Sequence, residues 1–160
     1  MPVTTRIEEV RKELTTLAEA APTAKDLMEG VCQLLHMRML KYNWVGFYML
    51  EPGAKPPMLV LEAFVGAMTP HTRIPLNQGI CGAAASSGKT IVVDDVSKDP
   101  RYLACSLETK SEIVVPVFVK DQVAGELDID SHFPAAFGVE DQRLVQYCAE
   151  VVGKKLDKSQ

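Results

Sequence analysis

Apolar residues recur at helical spacing through the N-terminal quarter of the chain, then shift to the shorter period of strands. Ile7, Val10, Leu14 and Leu17 mark one face of a first helix, which Thr4 or Thr5 is placed to cap and Ala20-Ala21-Pro22 to end. Leu27, Val31, Leu34, Leu35, Met37 and Leu40 form the broader stripe of a second helix opening at Thr23. Residues 43–50 (NWVGFYML) predict a strand, with Val45, Phe47 and Met49 on one face and Trp44, Gly46 and Tyr48 on the other. A Pro- and Gly-rich turn at 51–57 brings the chain back as a second strand over 58–65.

Further along, 73–76 reads as a short extended piece, and the small residues of 80–85 (ICGAAA) as a helix able to lie close on a sheet. A third full strand is expected over 91–95, followed by a long polar connection over 96–110. The β-branched runs 113–119 and 123–130, separated by Lys120-Asp121-Gln122, predict a β-hairpin. A last helix over 139–156 buries Leu144, Val145, Cys148, Val151 and Val152, with Glu140 and Asp141 near its start and Lys154 and Lys155 near its end, as the helix dipole favours. Helices bracketing a run of antiparallel strands predict an α+β domain, two or three layers thick, with a central antiparallel sheet flanked by helices. One domain over 1–160 is expected, with N-terminal helices in 4–40 and the core in 41–158.

The hairpin carries the most unusual chemistry. Alternation puts Val123, Gly125, Leu127 and Ile129 on one face of its second strand and Glu126, Asp128 and Asp130 on the other, while Glu112 opens the partner strand at the same end. Asp128 and Asp130 have two readings: the solvated face of a half-buried strand, or a site where a cation, a proton or a polar ligand relieves clustered carboxylates. Trp44 and Tyr48 likewise either pack under a loop or wall a pocket in which Gly46 gives a ligand close access to the backbone. Cys81 falls in the first turn of the small-residue helix, where unpaired N–H groups stabilise a thiolate; the alternative is a cysteine buried beneath that helix. Cys32, His36 and Cys148 lie on or beside apolar stripes and read as packed side chains.

Composition narrows the function classes. With 17 basic and 21 acidic side chains and no Lys/Arg run, nucleic-acid binding is disfavoured. No apolar stretch has the length of a membrane span and the N-terminus lacks the core of a signal peptide, so a cytoplasmic location without membrane attachment is expected. Cys32, Cys81, Cys105 and Cys148 then read as free or redox-active thiols, and their spacing matches no zinc motif.

Four separated pieces, NWVGFY, RIPLNQGICGAAA, YLACSLETKSEIVVPV and GELDIDS, occur in the order found in GAF domains. Within that family the chain closely resembles the free methionine-(R)-sulfoxide reductases, from about Asn43 to Ser131. The resemblance implies a GAF-like fold and reduction of the R-sulfoxide of free methionine, with no metal or organic cofactor. By position it makes Cys105 the catalytic cysteine and Cys81 a resolving cysteine. Glu112, Asp128 and Asp130 become the acids that hold the substrate's ammonium and sulfoxide groups, and Trp44 and Tyr48 the aromatic wall around its methyl group. A sulfenic acid on Cys105 would condense with Cys81 to a disulfide that a thioredoxin-like reductant restores. His71 stands where many members carry a further cysteine, and is expected to be a loop histidine facing water. A homodimer through the first helices is one possible assembly, and a GAF module that only binds a small molecule is the competing function.

Overall fold

Alternation along the strands decides the layering. In the computed structural model, which describes residues 3–104 and 106–159, the strands are β1 (Trp44–Leu50), β2 (Met58–Val65), β3 (Arg73–Pro75), β4 (Ile91–Val93), β5 (Ser111–Val119) and β6 (Gln122–Ser131). Among the described residues they form one antiparallel sheet in the order β3-β2-β1-β6-β5-β4. β6 is therefore central, flanked by β1 and β5 along nearly its whole length. Its turn to β5 is tighter than the sequence suggested: only Lys120 and Asp121 lie outside the strands, both with positive φ (51° and 64°), and Gln122 already pairs with Val119. Two consecutive left-handed residues give the turn whose twist matches that of the strands it joins.

One face of the sheet is covered by α2 (Ala24–Arg38) and α4 (Val139–Lys158), with α1 (Val3–Ala20) packed across both. Here Val45, Phe47, Ile113, Val115, Val117, Leu127 and Ile129 meet Leu27, Val31, Leu35, Leu144, Val145, Cys148 and Val152 in the principal core. Ile7, Val10 and Leu14 complete it from α1. Thr23 caps α2 as expected, accepting from the Asp26 N–H at 3.1 Å while its own hydroxyl donates to the Asp26 carboxylate at 2.8 Å. Cys32 and Cys148 are wholly buried in this core, and burial pushes the Cys32 thiol up to about 12, so both are packing residues. His36 uses Nδ1 to bond the Tyr42 carbonyl at 3.0 Å.

The opposite face carries one helix, α3 (Gly79–Ser87), with a smaller apolar cluster of Tyr48, Leu59, Ile74, Ile80, Ala84 and Val114 beneath it. The sheet thus lies between helices on both sides, making three layers.

Several boundaries differ from expectation for local reasons. α1 is already helical at Val3, so Thr4 and Thr5 lie inside the helix rather than capping it. Met37 and Leu40 are exposed: Met37 points off the buried stripe, and the helix has ended before Leu40. β4 stops at Val93 because Asp95 caps a 3-10 turn over Val96–Lys98, accepting from the Ser97 N–H at 3.0 Å. Val151 is only half-buried, and Ala149 and Gly153 take its place on the inner stripe of α4.

Gly153 marks the closest approach of α4 to β5, where an added Cβ would lie 2.4 Å from the Phe118 carbonyl oxygen. Helix propensity favours alanine there by about 1 kcal/mol, but the obstacle is backbone and cannot turn aside. Gly153→Ala is expected to lower stability by about 1–3 kcal/mol in urea titrations. A midpoint unchanged or raised would mean the helix sits less tightly on the sheet than described.

Candidate active site

On the α3 side, the register of three strands stacks their polar residues in rows. Asp130 lies opposite Trp44 on β1 and Glu112 on β5; Asp128 opposite Gly46 and Val114; Glu126 opposite Tyr48 and Pro116. The hairpin and β1 therefore place Glu112, Glu126, Asp128 and Asp130 on one face, and all four are at most 5% exposed. This rules out the solvated-face reading of the two aspartates. The cluster is also larger than the candidate site read from the sequence: Glu126, on the same face by alternation, is fully buried with the other acids. Its i, i+2 spacing to Asp128 was the available signal.

Cys81, the third residue of α3, is brought onto this face because the helix is built of small residues. An added Cβ on Gly82 would lie 2.8 Å from the Leu76 carbonyl oxygen, so glycine lets the helix fold back tightly against the segment that leads into it from β3. The Cys81 thiol donates to Asp128 Oδ2 at 3.4 Å. Cys81, Glu112 and Asp128 each offer a ligand-capable atom, all within 4.8 Å of one another. Both Glu126 carboxyl oxygens and Asp128 Oδ1 are buried without a hydrogen-bond partner at ordinary distances among the described residues, although the Cys81 thiol lies close enough to Glu126 to interact with it electrostatically.

Electrostatically, the cluster is unbalanced. Among the described residues no lysine, arginine or histidine forms an ion pair with Glu112, Glu126 or Asp128. Burial pushes Glu112 well above the usual carboxylate range, and the neighbouring Asp128 and Asp130 push it further. Glu126 is likewise raised well above that range by burial, against the opposing effect of the Cys81 thiol. Asp128 is raised by burial as well, with hydrogen bonds from Glu112 and Cys81 working the other way. Cys81 is raised well above the ordinary thiol range, first by burial and then by Asp128, Glu126 and Glu112. The helix-start stabilisation expected of its thiolate is outweighed, and Cys81 is held as a thiol. A protonated, thiol-bearing pocket of this kind can donate protons to a ligand oxygen and exchange protons for a ligand cation.

The aromatic residues flank the acids. Trp44 is nearly buried, stacks on Phe64 with ring centroids 5.8 Å apart and donates from Nε1 to the Ala67 carbonyl at 3.0 Å. Tyr48 lies 6.2 Å from it between centroids and donates its hydroxyl to the His71 carbonyl at 2.7 Å. Of the two readings for this face, Gly46 follows the packed one: the Trp44 ring fills the space over it, and an added Cβ would lie 2.3 Å from that ring. His71 is half-buried on its loop, and its Nε2 reaches the carbonyl of exposed Ala104 at 3.2 Å. Cys105 lies outside the described residues.

Two cavities border the cluster. A small one of about 20 Å³, room for roughly one water molecule, is bordered by Cys81, Glu112, Asp128 and Tyr48. A wider one of about 170 Å³ is bordered by Trp44, Asp130, Thr69, Glu108 and His132. Glu112 borders the first and Asp130 the second, and the two acids are partners in register.

A family model described as GAF domain matches residues 23–156. The chain is 39% identical over 110 residues to the free methionine-R-sulfoxide reductase of Escherichia coli K12, covering 69% of this chain and 64% of that protein. Among solved structures it is similar to the type II free methionine-R-sulfoxide reductase from Thermoplasma acidophilum, at 41% identity and a TM-score of 0.79 over 89% of this chain and 96% of that one. It is also similar to the free methionine-R-sulfoxide reductase from Neisseria meningitidis in complex with its substrate, at 32% identity and a TM-score of 0.88 over 96% and 89%.

Folding holds Glu112 and Glu126 protonated above the range in which an unfolded chain releases those protons. Their stabilisation is therefore complete below the ordinary carboxylate range and is lost as pH rises through the folded-state values. Stability measured by urea unfolding is expected to fall as pH rises above the ordinary carboxylate range toward neutrality. Glu126→Gln removes one titrating group, so it should flatten the slope by up to about 1.4 kcal/mol per pH unit and gain on the parent as pH rises. Stability that climbs over this interval in the parent would contradict a protonated cluster.

Proposed function

The chain belongs to the GAF domain family and, within it, to the free methionine-R-sulfoxide reductases, which are oxidoreductases; we propose that it reduces free L-methionine-(R)-sulfoxide through a cysteine sulfenic acid and a disulfide. The observation that carries this reading is the buried acid cluster in which Glu112, Glu126 and Asp128 form no ion pair with a cationic side chain among the described residues. Such a cluster is relieved by a ligand that brings its own positive charge and takes up a proton elsewhere, and a free amino acid sulfoxide does both.

In this reading Glu112 and one of the two aspartates receive the α-ammonium, a charge-assisted contact that a methionine inside a polypeptide cannot offer, and the other aspartate is left for the oxygen. Trp44 and Tyr48 pack the methyl end, worth at most a few kcal/mol of apolar burial. Cys105 attacks the sulfoxide sulfur while a protonated acid, Asp128 or Asp130, protonates the oxygen. The oxygen then passes from the substrate sulfur to the Cys105 sulfur as the S–S bond made in the attack and the substrate S–O bond both break; methionine leaves, Cys105 is left as a sulfenic acid, and the Cys105 thiol proton replaces the one the acid gave up. The Cys81 sulfur then displaces that oxygen, which departs as water with the Cys81 proton, and a disulfide forms. Burial and the surrounding acids keep Cys81 protonated at rest, which suits a thiol that acts second. A thioredoxin-like dithiol reductant in the cytoplasm would restore both thiols. Among the described residues no helix is long and apolar enough to cross a membrane.

An epimer-resolved assay tests the proposal. Purified protein with dithiothreitol is expected to consume free L-methionine-(R)-sulfoxide and to leave both the S epimer and the N-acetyl compound. Cys105→Ser should abolish turnover. Cys81→Ser with a dithiol protein as sole reductant should stop after about one turnover per active site. Equal consumption of the N-acetyl compound would remove the ammonium site, and a parent that binds the sulfoxide without reducing it would leave a passive binding domain.

A further inference from the structure

We infer that His71, which none of the acid, aromatic or thiol roles uses, is a positioning residue that fixes the chain segment leading into Cys105 and shields Cys81. The inference rests on the reductase reading for its kinetic consequence and on geometry alone for the rest.

His71 sits on the connection between β2 and β3 and is tied down on three sides. Its N–H donates to the hydroxyl of buried Thr69 at 3.1 Å, its carbonyl accepts from Tyr48 at 2.7 Å, and its ring reaches the Ala104 carbonyl at 3.2 Å. A carbonyl oxygen only accepts, so His71 Nε2 carries the proton in this contact. The backbone of His71 is thus held against the sheet, and its imidazole projects as a fixed donor toward the segment that crosses α3.

That segment is attached at two consecutive residues. The Leu103 side chain lies on the first residue of α3, where an added Cβ on Gly79 would be 2.9 Å from Leu103 Cδ1. Ala104, next along, is bonded to His71, and the residue after it in the chain is Cys105. His71, Leu103 and Cys81 border the same small cavity. One apolar and one polar attachment, made to different elements, set both where the chain enters Cys105 and how far Cys81 is covered.

The test labels Cys81 with iodoacetamide in the resting protein, reads it by peptide mass spectrometry, and pairs this with steady-state kinetics. His71→Ala is expected to raise the Cys81 labelling rate about fivefold, the scale of one lost hydrogen bond, and to lower kcat by a similar factor with KM changed less than about twofold. His71→Gln, whose amide N–H can reach the same carbonyl, should restore both. Leu103→Ala, which loosens the other attachment, should raise labelling in the same direction. Unchanged labelling in His71→Ala, or His71→Gln behaving like His71→Ala, overturns the inference. A parent that never reduces the sulfoxide, with the labelling pattern as expected, overturns the proposed reaction and sustains the positioning role.

Discussion

The structure depends on one central strand having two incompatible faces. Leu127 and Ile129 of β6 are fully buried against the helices, while Glu126, Asp128 and Asp130 are buried just as completely on the other side. A one-residue slip in register would drive three carboxyls into the principal core and two large apolar side chains into the acid cluster. Pairing on both edges, to β1 and β5, leaves the strand no freedom to make that slip. The apolar face thereby enforces the polar one: each fully buried Leu or Ile contributes about 1.5–3 kcal/mol, and that contribution is available in one register only.

What the acid face costs depends on its protons. An ionised carboxylate taken out of water without a partner costs several kcal/mol even after relaxation, whereas a neutral carboxyl left without one hydrogen bond costs about 1–3 kcal/mol. With Glu112 beside Asp128 and Asp130, Glu126 beside Asp128, and no cationic side chain among the described residues paired to Glu112, Glu126 or Asp128, protonation is the cheaper state, and it dominates the electrostatics of the pocket. The same field acts on Cys81. Its place in the first turn of α3 favours a thiolate by well under the effect of full burial among acids, so the sulfur stays protonated and bonds Asp128. Reactivity there has to be conferred by a change in the pocket, such as a bound cation or an electrophilic sulfur brought close.

How much of this was legible in the sequence follows from the range of each interaction. The hairpin, both faces of β1, the helical stripes and the pairing of Glu112 with Asp130 arise from periods of 2 and 3.6 and from a turn a few residues long, and all were readable. Between the two readings of the Gly46 face the sequence does not choose, because no alternation rule gives the direction of the Trp44 ring that folds back over it. Full burial of Glu126, the third acid on its strand face, depends on α3 lying above it, a contact between residues far apart in sequence. The bond from His71 to Ala104 is out of reach of local patterns for the same reason, since the two are 33 positions apart.

The division into two cavities also follows from these constraints. Glu112 and Asp130 are partners across β5 and β6, so the strand pairing sets one acid at each cavity. The first also has Cys81 and Asp128 on its lining, with room for about a water; the second has Trp44 and more space. Both linings therefore answer to a single cross-strand pair, because a slip that moved Asp130 off this face would take Glu112 out of register with it and dissolve the acid border of both spaces at once.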